Sequence, residues 1–402
     1  MAVKRLGLLP RLLLGIAFGI LIGAVAPEAI VRILVTFSGL FGNFLSFVIP
    51  LIIIGFVAPG IADLGQSAGR LLGITAGLAY LSTIIAGTFA YVASSVVLPI
   101  LTSGYAMTAA KNPEEALLKP FFTVDMPPIM GVMSALLIAF ILGLGVAALE
   151  GKNLRSVLGE FQQVVEGVIQ KAIIPLLPLH VAGIFANMTY AGEVVRILAI
   201  FGKVFVFVIL AHTTILLLQY FVASAIGRRN PFVALRNMLP AYFTAIGTQS
   251  SAATIPVTLR CAKANGVSDE VADFAIPLCA TIHLSGSTIT LTTCSLAVML
   301  LSGQAFPSIT IYLPFILMLG ITMVAAPGVP GGAVMAALGI LQSMLGFSEA
   351  QLGLMIALYL TQDSFGTACN VTGDCAIAVI VDTLAGKGRR REKMVHSAAA
   401  AR

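Results

Sequence analysis

What most limits the fold of this chain is a series of apolar stretches. Several carry no charge and reach or exceed the roughly 18–20 residues that a helix needs to cross about 30 Å of hydrocarbon. Charged residues make up 10% of the chain and apolar residues 58%, whereas an ordinary soluble domain is roughly 25% charged. The chain is therefore built for lipid. The first stretch reads as a span, because a signal-peptide core is shorter and precedes a soluble chain. The net charge of +6 does not point to nucleic acid, since the basic residues gather at segment ends, where they set topology. The five cysteines, Cys261, Cys279, Cys294, Cys369 and Cys375, lie in apolar segments without metal-site or disulfide-framework spacing, and read as small packing residues.

Long apolar runs separated by polar or Gly/Pro-containing joints place spans at about 7–26, 29–63, 68–101, 128–149, 155–189 and 195–227. Lys4, Arg5, Arg11, Arg70, Lys152, Arg155, Arg228, Arg229 and Arg236 all fall on one side of these six crossings, which the positive-inside rule makes the cytoplasm. The long joint from Ser103 to Pro127 is then outside. In the first span Gly15, Gly19 and Gly23 form a GxxxGxxxG face that permits close helix approach.

After residue 230 the texture changes. Gly247-Thr-Gln-Ser250-Ser251-Ala-Ala-Thr-Ile-Pro256 interrupts one run whose flanks, Arg236 on one side and Arg260 and Lys263 on the other, both look cytoplasmic. That run enters and returns. A second run, about 307–347, has no Lys or Arg and is broken by Ala326-Pro-Gly328-Val329-Pro-Gly331-Gly332, as in a hairpin entering from outside. Irregular backbone at membrane depth is tolerated only inside protein or along a wet cavity, so a pair of such interruptions points to a transporter binding site. Each hairpin precedes a span with polar residues inside it, at about 270–302 and 350–383, which is the order of an inverted repeat. The fold expected is an all-α membrane protein: eight transmembrane helices plus two re-entrant helical hairpins, ending in a basic cytoplasmic tail at 386–402. Both termini are then cytoplasmic.

In the last span, Asp363, Thr367, Asn370 and Asp374 follow at intervals of four, three and four, so they share one helix face. Even on lenient insertion scales a carboxylate at the bilayer centre costs about 2.5–3.5 kcal/mol. No Lys or Arg lies deep in these segments, so a substrate ammonium and a bound cation are the partners this face calls for.

Ser250-Ser251, the stretch Thr281-Ile-His283-Leu-Ser285-Gly-Ser287, Gly328-Val329-Pro330-Gly331 and Asn370-Val-Thr-Gly-Asp374 together resemble the dicarboxylate/amino acid:cation symporter family. The likeness runs through essentially the whole chain, and the stretch from Asp363 to Asp374 is most similar to the bacterial sodium:serine/threonine symporters. The resemblance implies a homotrimer in the cell (inner) membrane and an elevator-type transporter. It further implies a static scaffold part at about 7–63 and 128–189 and a moving transport part at about 68–101 and 195–385. Carried over by residue, Asp363 accepts from the substrate ammonium. Asn370 donates to its carboxylate, aided by the hairpin backbone at Ser250 and Ser251, and Thr367, Ser287 and Val329 complete the substrate pocket. Gly366 stands where acidic-substrate carriers of this family resemble an arginine site. Retention of Asp363 without that arginine implies a small neutral amino acid, with serine and threonine first. The resemblance also implies a sodium ion held by Asp374 and by the carbonyls near Cys279, His283 and Asn370. Thr281, Tyr80, Thr83 and Ser285 match the family's weaker second and third sites. There a methionine sulfur and a carboxylate are missing, because the family's Asn-Met-Asp-Gly-Thr motif reads His283-Leu-Ser-Gly-Ser287. His283 is a possible proton site, so proton or mixed coupling stays open as an alternative. An anion channel would need basic lining, and an enzyme would need a nucleophile with a base in reach; neither pattern is evident. His180, His212 and His396 read as structural or solvated.

Overall fold

The computed structural model of the chain describes residues 8–66, 70–102, 117–149, 152–192, 194–324, 326 and 330–400, and within these every regular element is a helix. Helices α1 (Leu8–Val25), α2 (Glu28–Gln66), α3 (Arg70–Thr102), α4 (Val132–Leu149), α5 (Lys152–Val168), α6 (Ile174–Tyr190) and α7 (Val194–Gly227) cover the first half. A single wider turn, Ile169–Ile173, joins α5 to α6. The second half holds α8 (Pro231–Thr248), α9 (Ser251–Ala264), α10 (Asp269–Ile282), α11 (Ser285–Leu301), α12 (Ile309–Val324), α13 (Gly332–Leu345) and α14 (Glu349–Ala400). The interrupted runs are thus two helix pairs, α8/α9 and α12/α13, each folded back on itself. Among the described residues six helical runs are long and apolar enough to cross a membrane: Glu28–Ala62, Leu71–Leu101, Lys152–Tyr190, Ile197–Gly227, Asp269–Leu301 and Glu349–Ala385. The apolar parts of α1 and α4 are shorter. At about 1.5 Å per residue the 39 residues of α2 run to roughly 58 Å, so α2 tilts or projects beyond the hydrocarbon.

Packing sorts the helices into two groups. Helices α1, α2, α4, α5 and α6 lie against one another, while α3 and α7 to α14 gather around α11 and α14. The glycine face of α1 belongs to the first group: a Cβ on Gly15, Gly19 or Gly23 would strike the backbone carbonyl of Pro178, Ala182 or Ala186 of α6. Its partner is a helix of the same chain. Residues 117–131 strap this group, with Leu118 and Asn187 exchanging hydrogen bonds and the Phe121 N–H donating to Thr36 Oγ1.

In the second group the α10/α11 run is enclosed: 94% of its apolar window is buried, against 33% for Leu71–Leu101. A helix surrounded by protein can carry hydroxyls, and Ser285, Ser287, Thr288, Thr290, Thr292, Thr293 and Ser295 are all buried there. The sequence reads 270–302 as one partly polar span, but the helix breaks at His283 and Leu284, where the His283 backbone turns extended and Leu284 leaves the helical region. Close crossing explains why the chain restarts there. A Cβ on Gly286 would strike the Gly366 carbonyl and the Cys369 side chain, so α11 begins in direct contact with α14.

Candidate functional site

The polar face of α14 organises the site. Asp363, Thr367, Asn370 and Asp374 are all buried, and each of the three charged or amide groups meets a different part of the fold. Asp363 Oδ2 accepts the Gly331 N–H at 2.7 Å. Gly331 holds a positive φ of 77° at the tip of the α12/α13 hairpin, a conformation in which other residues are strained. One residue on, Gln249 at the tip of the α8/α9 hairpin donates from Nε2 to Ser364 Oγ at 2.8 Å. Both hairpin tips therefore converge on Asp363 and Ser364. Ser250 caps α9, its hydroxyl accepting the Ala253 N–H, and Ser251 is buried behind it.

Asn370 caps the restarted helix. Its Oδ1 accepts from the Gly286 N–H at 2.7 Å and the Ser287 N–H at 3.2 Å, and its Nδ2 donates to Ser287 Oγ, which also receives the Tyr359 hydroxyl. From the other side the Gly286 carbonyl accepts from Thr290 Oγ1 and lies 3.0 Å from His212 Nε2. The orphan N–H groups at the start of a helix must find partners where water is absent, and Asn370 supplies one for Gly286 and Ser287. Gly366 turns its open side to α11, where an added Cβ would lie 3.6 Å from Thr290 Oγ1 and 3.7 Å from the Ser287 nitrogen.

Asp374 Oδ1 lies 2.9 Å from His283 Nδ1, and both side chains are buried. The other oxygen, Oδ2, has no hydrogen-bond partner. The break in α10/α11 brings His283 onto Asp374. The Cys279 carbonyl accepts the His283 N–H and so stands at the same break.

The hydrogen bonds of Thr281, Tyr80 and Thr83 run to backbone carbonyls. Thr281 is exposed and bonds the Leu278 carbonyl, Thr83 bonds the Ala79 carbonyl, and the Tyr80 hydroxyl reaches Leu317 of α12. Ser285 accepts from Gln219 of α7. Gly328 and Val329 lie outside the described residues, as does the side chain of His396. Sequence reasoning missed Ser82, His212, Gln219, Gln249 and Tyr359. Isolated polar residues inside apolar helices were the available signal for Gln219 and His212. Among the described residues no Lys or Arg side chain is buried.

The family model described as the sodium:dicarboxylate symporter family matches residues 8–384. The chain is 26% identical to the serine/threonine transporter SstT of Enterococcus faecalis, an alignment covering 95% of this chain and 92% of that protein. It is 27% identical to excitatory amino acid transporter 2 of Homo sapiens, covering 72% of this chain and 50% of that protein. Against the same transporter of Mus musculus the figures are 28% identity, 61% and 44%. The chain thus spans about half the length of these excitatory transporters and nearly all of the bacterial one.

Proposed function

This chain belongs to the sodium:dicarboxylate symporter family, and from that membership we propose that it is a secondary active symporter importing a small neutral amino acid, serine or threonine first, together with sodium. The observation that carries the reading is the convergence of both hairpin tips on the buried carboxylate Asp363 and its neighbour Ser364, in a fold where no described Lys or Arg is buried. A carboxylate so placed attracts a substrate ammonium, because a desolvated charge is costly until it is paired. A second carboxylate on the substrate would find no cation, and Gly366 offers no side chain to supply one. Donors for the single α-carboxylate are the amide of Asn370 and the amino end of α9 at Ser250 and Ser251. Ser287 and Thr367 line the same face, with Val329 assigned to the second hairpin tip. The Gly331–Asp363 hydrogen bond then acts as the closure over the site, broken and remade as substrate enters.

Asp374 Oδ2, with carbonyls near Cys279, His283 and Asn370, is the seat assigned to sodium, since hard oxygen ligands and one carboxylate suit a small alkali ion. A second reading, in which His283 carries a proton in place of a sodium, is favoured by its 2.9 Å contact with Asp374. The two packing groups support a stationary scaffold made of α1, α2 and α4 to α6, with α3 and α7 to α14 moving as the transport part. A homotrimer in the cell membrane with both termini cytoplasmic completes the assignment. Uptake of radiolabelled serine into proteoliposomes, with sodium and proton gradients imposed separately, tests it. Uptake driven by sodium and competed by threonine is the result expected; uptake of aspartate in preference to serine would overturn the substrate class.

A further inference from the structure

Beside Asp374 stand two polar side chains that the proposed sodium site does not itself use, Ser82 of α3 and Gln219 of α7. Gln219 Nε2 donates to Ser82 Oγ at 2.9 Å and to Ser285 Oγ at 3.3 Å, and Ser82 Oγ lies 3.0 Å from His283 Nε2. An amide nitrogen only donates, so Ser82 Oγ accepts from Gln219. Ser82 Oγ can meet His283 Nε2 as donor or as acceptor, since a hydroxyl offers one proton and two lone pairs. Against an ionised Asp374, His283 Nδ1 carries a proton and donates it to Oδ1. The contacts form a continuous chain, Gln219 to Ser82 to His283 to Asp374, that holds the imidazole ring against the carboxylate. Gly373 makes room for it: a Cβ there would come within 2.7 Å of Gln219 Oε1 and 2.8 Å of His283 Cε1.

Asp374 is 1% exposed and its Oδ2 has no donor, and Gln219 Oε1 is likewise buried without one. Oδ2 is the carboxylate oxygen left open for an ion. We propose that Ser82 and Gln219 are positioning residues for the coupled cation: they fix the His283 ring, so that the imidazole occupies Oδ1 and keeps Oδ2 open for one sodium. Without the Ser82 hydroxyl the ring can turn away from Oδ1. This inference rests on the sodium-coupled reading given above.

Serine binding to the detergent-solubilised full-length chain, titrated with sodium, tests it. Ser82→Ala and Gln219→Leu are expected to raise the half-saturating sodium concentration about tenfold or more, the usual range for removing an outer partner of a metal ligand. Serine affinity at saturating sodium stays at the wild-type value, and Ser82→Thr keeps the wild-type sodium response. A variant that loses serine affinity at every sodium concentration would show a general packing role and overturn the inference. So would an unchanged sodium midpoint in both Ser82→Ala and Gln219→Leu. If the wild-type chain binds serine without responding to sodium, the functional reading falls and takes this inference with it, which a wild-type titration alone reveals.

Discussion

Asp363→Asn isolates the charge that the proposed substrate pocket depends on. The amide keeps an oxygen for the Gly331 N–H, whose 2.7 Å hydrogen bond closes the second hairpin on α14, and it has nearly the same volume. What disappears is the negative charge facing the substrate ammonium. Asp363 is 5% exposed, so bulk water screens little of that interaction. Removing one partner of a buried charge pair costs about 3–5 kcal/mol. At about 1.4 kcal/mol per factor of ten this is a loss of serine affinity of at least about a hundredfold. Equilibrium binding of radiolabelled serine at saturating sodium reads the loss, and thermal unfolding without substrate shows whether the hairpin contact survives. A folded variant that binds serine within about threefold of the wild type, a difference of only about 0.7 kcal/mol, would refute the assignment of Asp363 to the ammonium.

Gly366→Arg supplies a cation where an added Cβ meets nothing nearer than Thr290 Oγ1 at 3.6 Å. It is expected to make aspartate the stronger competitor in a binding assay, and persistent preference for serine in a variant that still binds would show the pocket to be drawn wrongly. Gly19→Leu should separate α1 from α6, because even a Cβ there strikes the Ala182 carbonyl. Overpacking of this kind typically costs about 1–3 kcal/mol or more, visible as a lowered unfolding temperature in detergent, and unchanged stability would place the glycine face elsewhere.

The membrane class, the positions of the long helices, both hairpins and the shared face of Asp363, Thr367, Asn370 and Asp374 were legible in the sequence. Each follows from a local property: the length of an apolar run, a Gly/Pro interruption, or a spacing that fits 3.6 residues per turn. Local rules also showed that the carboxylates needed partners, since bare charge is costly in hydrocarbon. They could not say which partners. His283 reaches Ser82 across 201 residues of chain, and Ser82 reaches Gln219 across 137. The break at His283 and Leu284 was equally hidden, because it depends on Asn370 accepting from Gly286, 84 residues before it. The glycine face of α1 announced a close approach, and only packing chose α6. Without water, every polar group has to be satisfied by protein or by an ion. The sequence by itself determined which groups would be stranded in the membrane, and the tertiary structure decided what each one meets, because those contacts depend on how helices far apart in the chain cross.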